Sequence, residues 1–236
     1  MSKARSTYNS ALVLFFGALI LYILALFIDS SNLELFCRPV IIPSLFFYYY
    51  IKVKGKVNLL FSISILSYFV GEMLYLISEK DFFCTGLIFF IIPYFIITYF
   101  LYQDYVLYIK EKKHSIDTLS VLIVVFFLIY LLYTVLSFVT DSSQFEFVMY
   151  LVFALLLLVM TIFAFLIQLN HSSKTILFMV LMVMSFIISD IFFIFSNMME
   201  EVFSLLIIKV LVQQLSYFLF VGYFIHRTNR ELWKEN

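Results

Sequence analysis

The chain is poor in charge. Asp, Glu, Lys and Arg make up only 13% of its 236 residues, whereas average soluble domains carry roughly 25%. Hydrophobic residues account for 64%, with 31 Phe and 17 Tyr among them. This small number of charged groups cannot cover a water-exposed surface. The composition therefore excludes a water-soluble globular protein and indicates a membrane protein.

The chain also lacks groups that several classes of membrane enzyme need. Its three histidines, His114, His171 and His226, map to the edges of loops assigned below to the cytoplasmic side, which argues against a zinc-dependent lipid hydrolase. No Gly-x-Ser-x-Gly motif is present for a serine hydrolase. Cys37 and Cys84 fall at helix ends and are interpreted as apolar packing residues, with a disulfide between them as the alternative. We therefore expect no metal and no cofactor.

The apolar residues fall into eight runs, each near the ~20 residues that a helix needs to cross a bilayer. The runs are too long for barrel strands, and a helix satisfies its own backbone hydrogen bonds. Since no Gly/Ser linker interrupts them, residues 1–236 are predicted to form one all-α, polytopic membrane domain of eight transmembrane helices. These predicted helices span 11–28, 36–51, 57–77, 82–103, 118–140, 145–169, 175–195 and 202–225.

The loop charges predict the orientation. Basic residues gather at the N-terminus, at 52–56 and 110–113, at Lys174 and after 225, while the opposite loops are acidic, with Lys80 as the clear exception. By the positive-inside rule both termini are cytoplasmic, which fits a multi-pass protein of a bacterial cytoplasmic (inner) membrane. The basic loops are expected to meet membrane lipids. Nothing points to nucleic acid or to a protein partner.

Two acids, Glu72 and Asp190, lie inside predicted transmembrane helices. A carboxylate at that depth costs several kcal/mol and usually faces a polar cavity. At about 1.5 Å per residue, Glu72 lies roughly 7 Å below the outer boundary, with Asp190 at about the same depth. Lys209 and Arg38 reach the same level from two other helices. We therefore predict that all four line one cavity in the outer half of the bundle.

Helical spacing extends this polar layer, because residues three or four apart share a helix face. Packing between membrane helices explains Ser64, Ser185 and Tyr217 well. It explains Glu72 and Asp190 poorly, since helix contacts rarely need a pair of acids, and we interpret both as functional. The neighbours on the same faces are Tyr68 and Tyr75 on the third predicted helix, Ser189 on the seventh, and Gln213 and Gln214 on the eighth.

Four short motifs occur in a fixed order. They are Arg38-Pro39-Val40-Ile41-Ile42-Pro43, then Gly71-Glu72-x-x-Leu followed by Gly86-Leu87-x-x-Phe90, then Ser189-Asp190, and last Gln213 or Gln214 before Tyr217. In order and spacing, over about residues 36–225, they resemble the YhhN/TMEM86 family of eight-helix membrane proteins. That family has Lys-Pro-x-x-x-Pro, Gly-Asp-x-x-Leu and Ser-Asp at the corresponding places, and its characterised members are lysoplasmalogenases.

The resemblance implies cleavage of the vinyl ether of a lysoplasmalogen to a fatty aldehyde and a glycerophospho-base. It implies Glu72 and Asp190 as catalytic residues and a functional Arg38. As cations at the level of the lipid headgroups, Arg38 and Lys209 are expected to hold the phosphate of the lysophospholipid substrate. Three positions depart from the family: Glu72 replaces Asp, Arg38 replaces Lys, and Tyr94 replaces a His that could become cationic. The further substrate-binding candidates are Tyr68, Tyr94, Ser189, Gln213 and Gln214.

Two carboxyl groups suit this chemistry. Protonation of the vinyl carbon gives an oxocarbenium ion, so one acid donates the proton and one carboxylate stabilises the cation or activates water. Two other functions remain open. A non-catalytic lysolipid-binding protein or proton-coupled carrier would use Glu72 and Asp190 as a relay. A retinal-type photoreceptor would attach its chromophore to Lys209, which has acids at its level.

Overall fold

The computed structural model of the protein describes residues 2–111, 118–137, 144–170, 173–198 and 202–234. Of the described residues, 94% are helical and none lies in a strand, so the predicted all-α class is confirmed. Seven helices occupy these ranges. They are α1 (Ser2–Phe27), α2 (Ser31–Lys52), α3 (Leu59–Glu111), α4 (Thr118–Ser137), α5 (Gln144–Asn170), α6 (Lys174–Met198) and α7 (Phe203–Lys234).

Five of the described helices are long and apolar enough to cross a membrane. These helices indicate a membrane-embedded protein. In α2 the apolar run is interrupted by Arg38 and two prolines, and in α4 the apolar stretch among the described residues is Val125–Thr134. The apolar stretches that qualify are Ser10–Phe27, Leu59–Tyr108, Gln144–Leu169, Lys174–Ser196 and Phe203–Asn229.

The long helix α3 is interrupted at Ser78, where the backbone is extended (φ −162°, ψ 106°). The Ser78 hydroxyl donates to the Asp81 carboxylate at 2.7 Å and accepts from the Asp81 backbone N–H at 3.3 Å. This is the geometry of a helix N-cap with an acid three residues later. Ser78 therefore starts a new helical segment, so α3 consists of two segments, 59–77 and 79–111.

The two segments of α3 fold back on each other near the break. The Tyr75 hydroxyl donates to the backbone carbonyl of Phe83 at 3.1 Å. Gly86 lies directly against the Tyr75 ring, and a Cβ on Gly71 would stand 3.1 Å from the Phe90 ring. Small residues thus let the segments approach closely, as is usual between membrane helices. The hairpin agrees with the predicted separation of 57–77 from 82–103.

Several helices extend beyond the predicted membrane spans. Helix α1 begins before residue 11, α3 continues to Glu111, and α7 continues to Lys234. The described residues of the predicted connections 104–117 and 226–236 are therefore all helical. Hydropathy marks where the apolar stretch ends, whereas Lys, Glu, Gln and Arg continue a helix readily in water. The loop residues Lys112, Lys113, Asp141, Glu200 and Glu201 lie outside the described residues, and the orientation stays a prediction.

The chain divides into two compact units. The first unit contains Met1–Pro93 and Phe220–Asn236, and the second contains Tyr94–Leu219. In the first unit, Asp29 adopts a left-handed conformation (φ 50°) in the turn between α1 and α2, and α1 and α2 pack together. The buried face of α1 repeats every three or four residues, as a helix pair requires; it consists of Ala11, Phe15, Ala18, Tyr22 and Ala25.

Candidate functional site

In the first unit, Glu72 is held by an ion pair with Arg38. One guanidinium nitrogen of Arg38 (Nη2) lies 2.9 Å from Glu72 Oε2, and the other (Nη1) lies 2.8 Å from Glu34 Oε1. The Glu72 side chain is 8% exposed and that of Arg38 is 15% exposed. The two groups predicted to lie at one level thus make direct contact, and Arg38 bridges two carboxylates.

Turns in the chain bring these residues together. Glu34 and Arg38 are four residues apart on α2, so they share a face. Arg38 follows the turn between α1 and α2, and Glu72 precedes the break at Ser78.

The guanidinium carbon of Arg38 also lies 5.5 Å from the ring centroid of Tyr22 on α1, which is a cation–π distance. Both Nη atoms of Arg38 already contact carboxylates, so a phosphate would have to compete with Glu34 and Glu72 for them.

In the second unit, Asp190 has a neutral partner. The Tyr94 hydroxyl donates a hydrogen bond to Asp190 Oδ2 at 2.7 Å. Among the residues that the structure describes, no basic side chain pairs with Asp190. The Tyr94 ring is buried, with its centroid 4.4 Å from that of Phe153 on α5 and 5.2 Å from that of Phe186 on α6. Tyr94 is thereby fixed in place, and it in turn orients Asp190.

Asp190 also lines a narrow apolar cavity of about 40 Å³. A volume of 10–15 Å³ holds one water, so the cavity is large enough for water and too small for a lipid chain. Its walls come from α4, α5 and α6, and Asp190, Tyr150 and Thr161 supply its few polar groups. The other lining residues are Leu128, Leu132, Phe153, Ala154, Leu157, Leu158, Ile187, Ile191 and Ile194.

The remaining predicted site residues are placed as follows. The Lys209 ammonium lies 4.7 Å from the Phe193 ring centroid, and Gln213 Nε2 donates to the Tyr217 hydroxyl at 3.1 Å. Gln214 is buried, and its Oε1 accepts no hydrogen bond from any described residue. Ser189 is also buried. Tyr68 is buried between the rings of Phe90 and Phe220.

Two contacts of the acids were not predicted. Glu34 precedes the predicted helix 36–51, although its spacing of four from Arg38 could have indicated the ion pair. Tyr94 was selected only because it stands where the YhhN/TMEM86 family has His. No pattern in the sequence indicated that its hydroxyl would donate a hydrogen bond to Asp190. Cys37 and Cys84 are both free thiols. The predicted cavity shared by Glu72, Asp190, Arg38 and Lys209 stays a prediction.

Fold and site together define a helical membrane protein with one acid in an ion pair and one acid bonded to a tyrosine beside an apolar cavity. No family model, no curated protein and no solved structure matches the chain. The resemblance to the YhhN/TMEM86 family therefore rests on the sequence motifs alone.

Proposed function

We propose that this protein is a lysoplasmalogenase-like membrane hydrolase, as its resemblance to the YhhN/TMEM86 family implies. It would cleave the vinyl ether of a lysoplasmalogen, or of a related lysolipid, to a fatty aldehyde and a glycerophospho-base. The observation that carries the proposal is Asp190, which the Tyr94 hydroxyl holds at 2.7 Å on the wall of an apolar cavity. An oriented acid in apolar surroundings is what the protonation of a lipid vinyl ether requires.

The proposal includes eight membrane crossings, with both termini in the cytoplasm of a bacterial cell. Helix α3 has 53 residues, which at 1.5 Å per residue would extend about 80 Å, far beyond the ~30 Å hydrocarbon core. Its break at Ser78 and the hairpin contacts support two crossings. Helices α2 and α4, which are 22 and 20 residues long, would supply the other crossings.

In the proposed reaction, Asp190 donates its proton to the vinyl carbon, and positive charge develops on the ether carbon and oxygen. Water adds to that carbon, and the hemiacetal collapses to the aldehyde while its alkoxy oxygen leaves as the hydroxyl of the glycerophospho-base. The proton released by the water restores Asp190, so no co-reactant other than water is needed. Tyr94 would hold the carboxyl in position throughout. The part of Glu72 in the reaction is a separate prediction, tested below.

The test is aldehyde release by the purified protein in detergent. A lysoplasmalogen should yield fatty aldehyde, whereas the matched lysolipid with a saturated alkyl ether should yield none, because it has no double bond to protonate. Absence of aldehyde from both lipids with folded protein would refute the hydrolase.

A second function remains a candidate because of one observation. Tyr94 donates a neutral hydrogen bond at the position where the resembled family has His, and a tyrosine cannot become cationic. This favours a lysolipid-binding protein or proton-coupled carrier in which Asp190 takes up and releases a proton without chemistry on the lipid. Saturable binding of both ether lipids without aldehyde release would support this alternative.

A further inference from the structure

The two oxygens of the Asp190 carboxyl have different surroundings. Oδ2 accepts the hydrogen bond of the Tyr94 hydroxyl at 2.7 Å, whereas Oδ1 has no hydrogen-bond partner among the residues that the structure describes. Because Oδ2 is already an acceptor, the acid proton belongs on Oδ1. A carboxyl oxygen buried without a partner costs free energy, and internal water commonly satisfies such groups in folded proteins. Oδ1 is therefore an atom at which a bound water is expected.

The cavity beside Asp190 has room for such water. Its volume is about 40 Å³, and at about 10–15 Å³ per water it holds about two or three molecules. A wholly apolar cavity stays dry, but the wall of this one includes the Asp190 carboxyl and two residues with hydroxyl groups, Tyr150 and Thr161. Its size and its polar groups together fit a few water molecules.

Thr161 on α5 offers a second hydrogen-bond partner to water in the cavity. Its side chain is buried, and its hydroxyl donates to the backbone carbonyl of Leu157 at 2.7 Å. That bond uses the single proton of the hydroxyl, so the Thr161 oxygen can accept a hydrogen bond from a water molecule. An internal water needs two to four polar partners. Asp190, Thr161 and a neighbouring water supply that number.

We propose that the cavity between α4, α5 and α6 is an internal water site and that it supplies the water for the ether cleavage. The water hydrogen-bonds to Asp190 Oδ1 and, directly or through a second water, to the Thr161 hydroxyl. The inference rests on the proposed function in taking Asp190 as the reacting acid. After Oδ1 has given its proton to the vinyl carbon, the water oxygen bonds to the ether carbon and a water proton returns to Oδ1. Thr161 is a positioning residue in this step.

The experiment is X-ray hydroxyl-radical footprinting of the full-length protein in lipid nanodiscs. A short X-ray pulse splits water into hydroxyl radicals, which oxidise side chains next to that water, and mass spectrometry maps the oxidised residues. We expect oxidation of the cavity residues Leu157 and Ile187 and none of Leu155, which is 51% exposed but contacts lipid chains. Cavity residues that are oxidised no more than Leu155 would show a dry cavity and overturn the proposal.

A matched pair of variants on α5 tests the cavity itself. Ala154→Leu fills the cavity, so it should lower the oxidation of Leu157 and Ile187 several-fold and slow aldehyde release. Leu155→Phe, one residue further on, should change neither. If Ala154→Leu does not fold, Ala154→Val adds a smaller volume and decides instead. Equal oxidation of the cavity residues in the folded filling variant and in the unaltered protein contradicts the water site.

Thr161 has its own matched pair. Thr161→Val and Thr134→Val each remove a hydroxyl that donates to a helical carbonyl, but only Thr161 lines the cavity. Thr161→Val should lower the oxidation of Leu157 and reduce kcat several-fold without changing KM, because the lipid does not contact Thr161. Thr134→Val should leave all three unchanged. Equal oxidation and kcat in the two variants would refute the positioning role.

The two proposals fail in different ways. Oxidation of the cavity residues without aldehyde release from lysoplasmalogen supports the water site and contradicts the hydrolase. Aldehyde release without oxidation of the cavity residues contradicts the water site and leaves the hydrolase standing.

Discussion

Glu72 in the first unit and Asp190 in the second are both acids in apolar helices, but their partners differ in charge. Glu72 lies 2.9 Å from the Arg38 guanidinium, which also binds Glu34. Asp190 receives one hydrogen bond from the neutral hydroxyl of Tyr94. Protonation of Glu72 would remove one of the two negative charges that balance the Arg38 guanidinium. Protonation of Asp190 would leave no neighbouring cation without its counter-ion, because its partner is neutral. The difference makes Asp190 the better candidate for proton transfer and Glu72 the acid on which folding depends more.

The largest expected effect is at Asp190. Asp190→Asn keeps the shape of the side chain but cannot donate an acid proton, so aldehyde release should fall by about 10²–10⁴-fold, the usual contribution of a general acid. The control is Asp81→Asn, since Asp81 is exposed and an amide oxygen can still accept from the Ser78 hydroxyl. A loss below about tenfold in folded Asp190→Asn would show that this acid is structural.

Next is the ion pair of the first unit. Arg38→Gln leaves the buried Glu72 carboxylate without its cation, which should lower the free energy of unfolding by about 3 kcal/mol. Glu72→Gln should cost less, because Arg38 keeps Glu34. Denaturation of the purified protein in mixed detergent micelles measures both effects.

The double variant Arg38→Gln with Glu72→Gln sharpens the comparison, because it removes the buried charge together with its partner. Stability should recover in part relative to Arg38→Gln alone. If folded Glu72→Gln, which keeps Arg38, loses aldehyde release, the reaction itself needs the Glu72 carboxylate. If Arg38→Gln alone is as stable as the unaltered protein, the ion pair contributes nothing to folding and the comparison fails.

A smaller effect is expected at Tyr94. Tyr94→Phe keeps the ring between Phe153 and Phe186 and removes only the hydroxyl that donates to Asp190. Loss of one hydrogen bond is worth about 1–1.5 kcal/mol, so turnover should fall about tenfold. Tyr99→Phe, which removes the hydroxyl of a 49% exposed tyrosine on the same helix, serves as the control and should leave turnover unchanged. Unchanged turnover in Tyr94→Phe would mean that Asp190 needs no positioning partner.

The smallest effect is expected at Glu34. Its side chain is 26% exposed, and its pair with Arg38 spans one helical turn, so Glu34→Gln should change the free energy of unfolding by about 0.5 kcal/mol. The same denaturation assay applies. A destabilisation as large as that of Arg38→Gln would show that Arg38 depends on Glu34 more than on Glu72.

Much of the architecture was predictable because it follows from local chemistry. Long apolar runs predict helices wherever the chain lies in lipid, and Ser78 followed by Asp81 is a recognisable helix start. The ends of α3 and α7 were not predictable from hydropathy, since a helix does not end where the membrane does. The helix ends and the helix rise predicted that Arg38 and Glu72 lie at one level, and their ion pair shows that the two side chains meet.

The sequence by itself determined the helical class, the apolar spans and the presence of two acids among apolar residues, because each depends on residues close together in the chain. Only the tertiary structure decided which partner each acid has. Helical periodicity shows which residues share a face of a helix but not which other helix that face contacts. Tyr94 and Asp190 are separated by 96 positions, so no local pattern could pair them. The cavity beside Asp190 likewise exists only because α4, α5 and α6 leave a narrow space where their side chains meet.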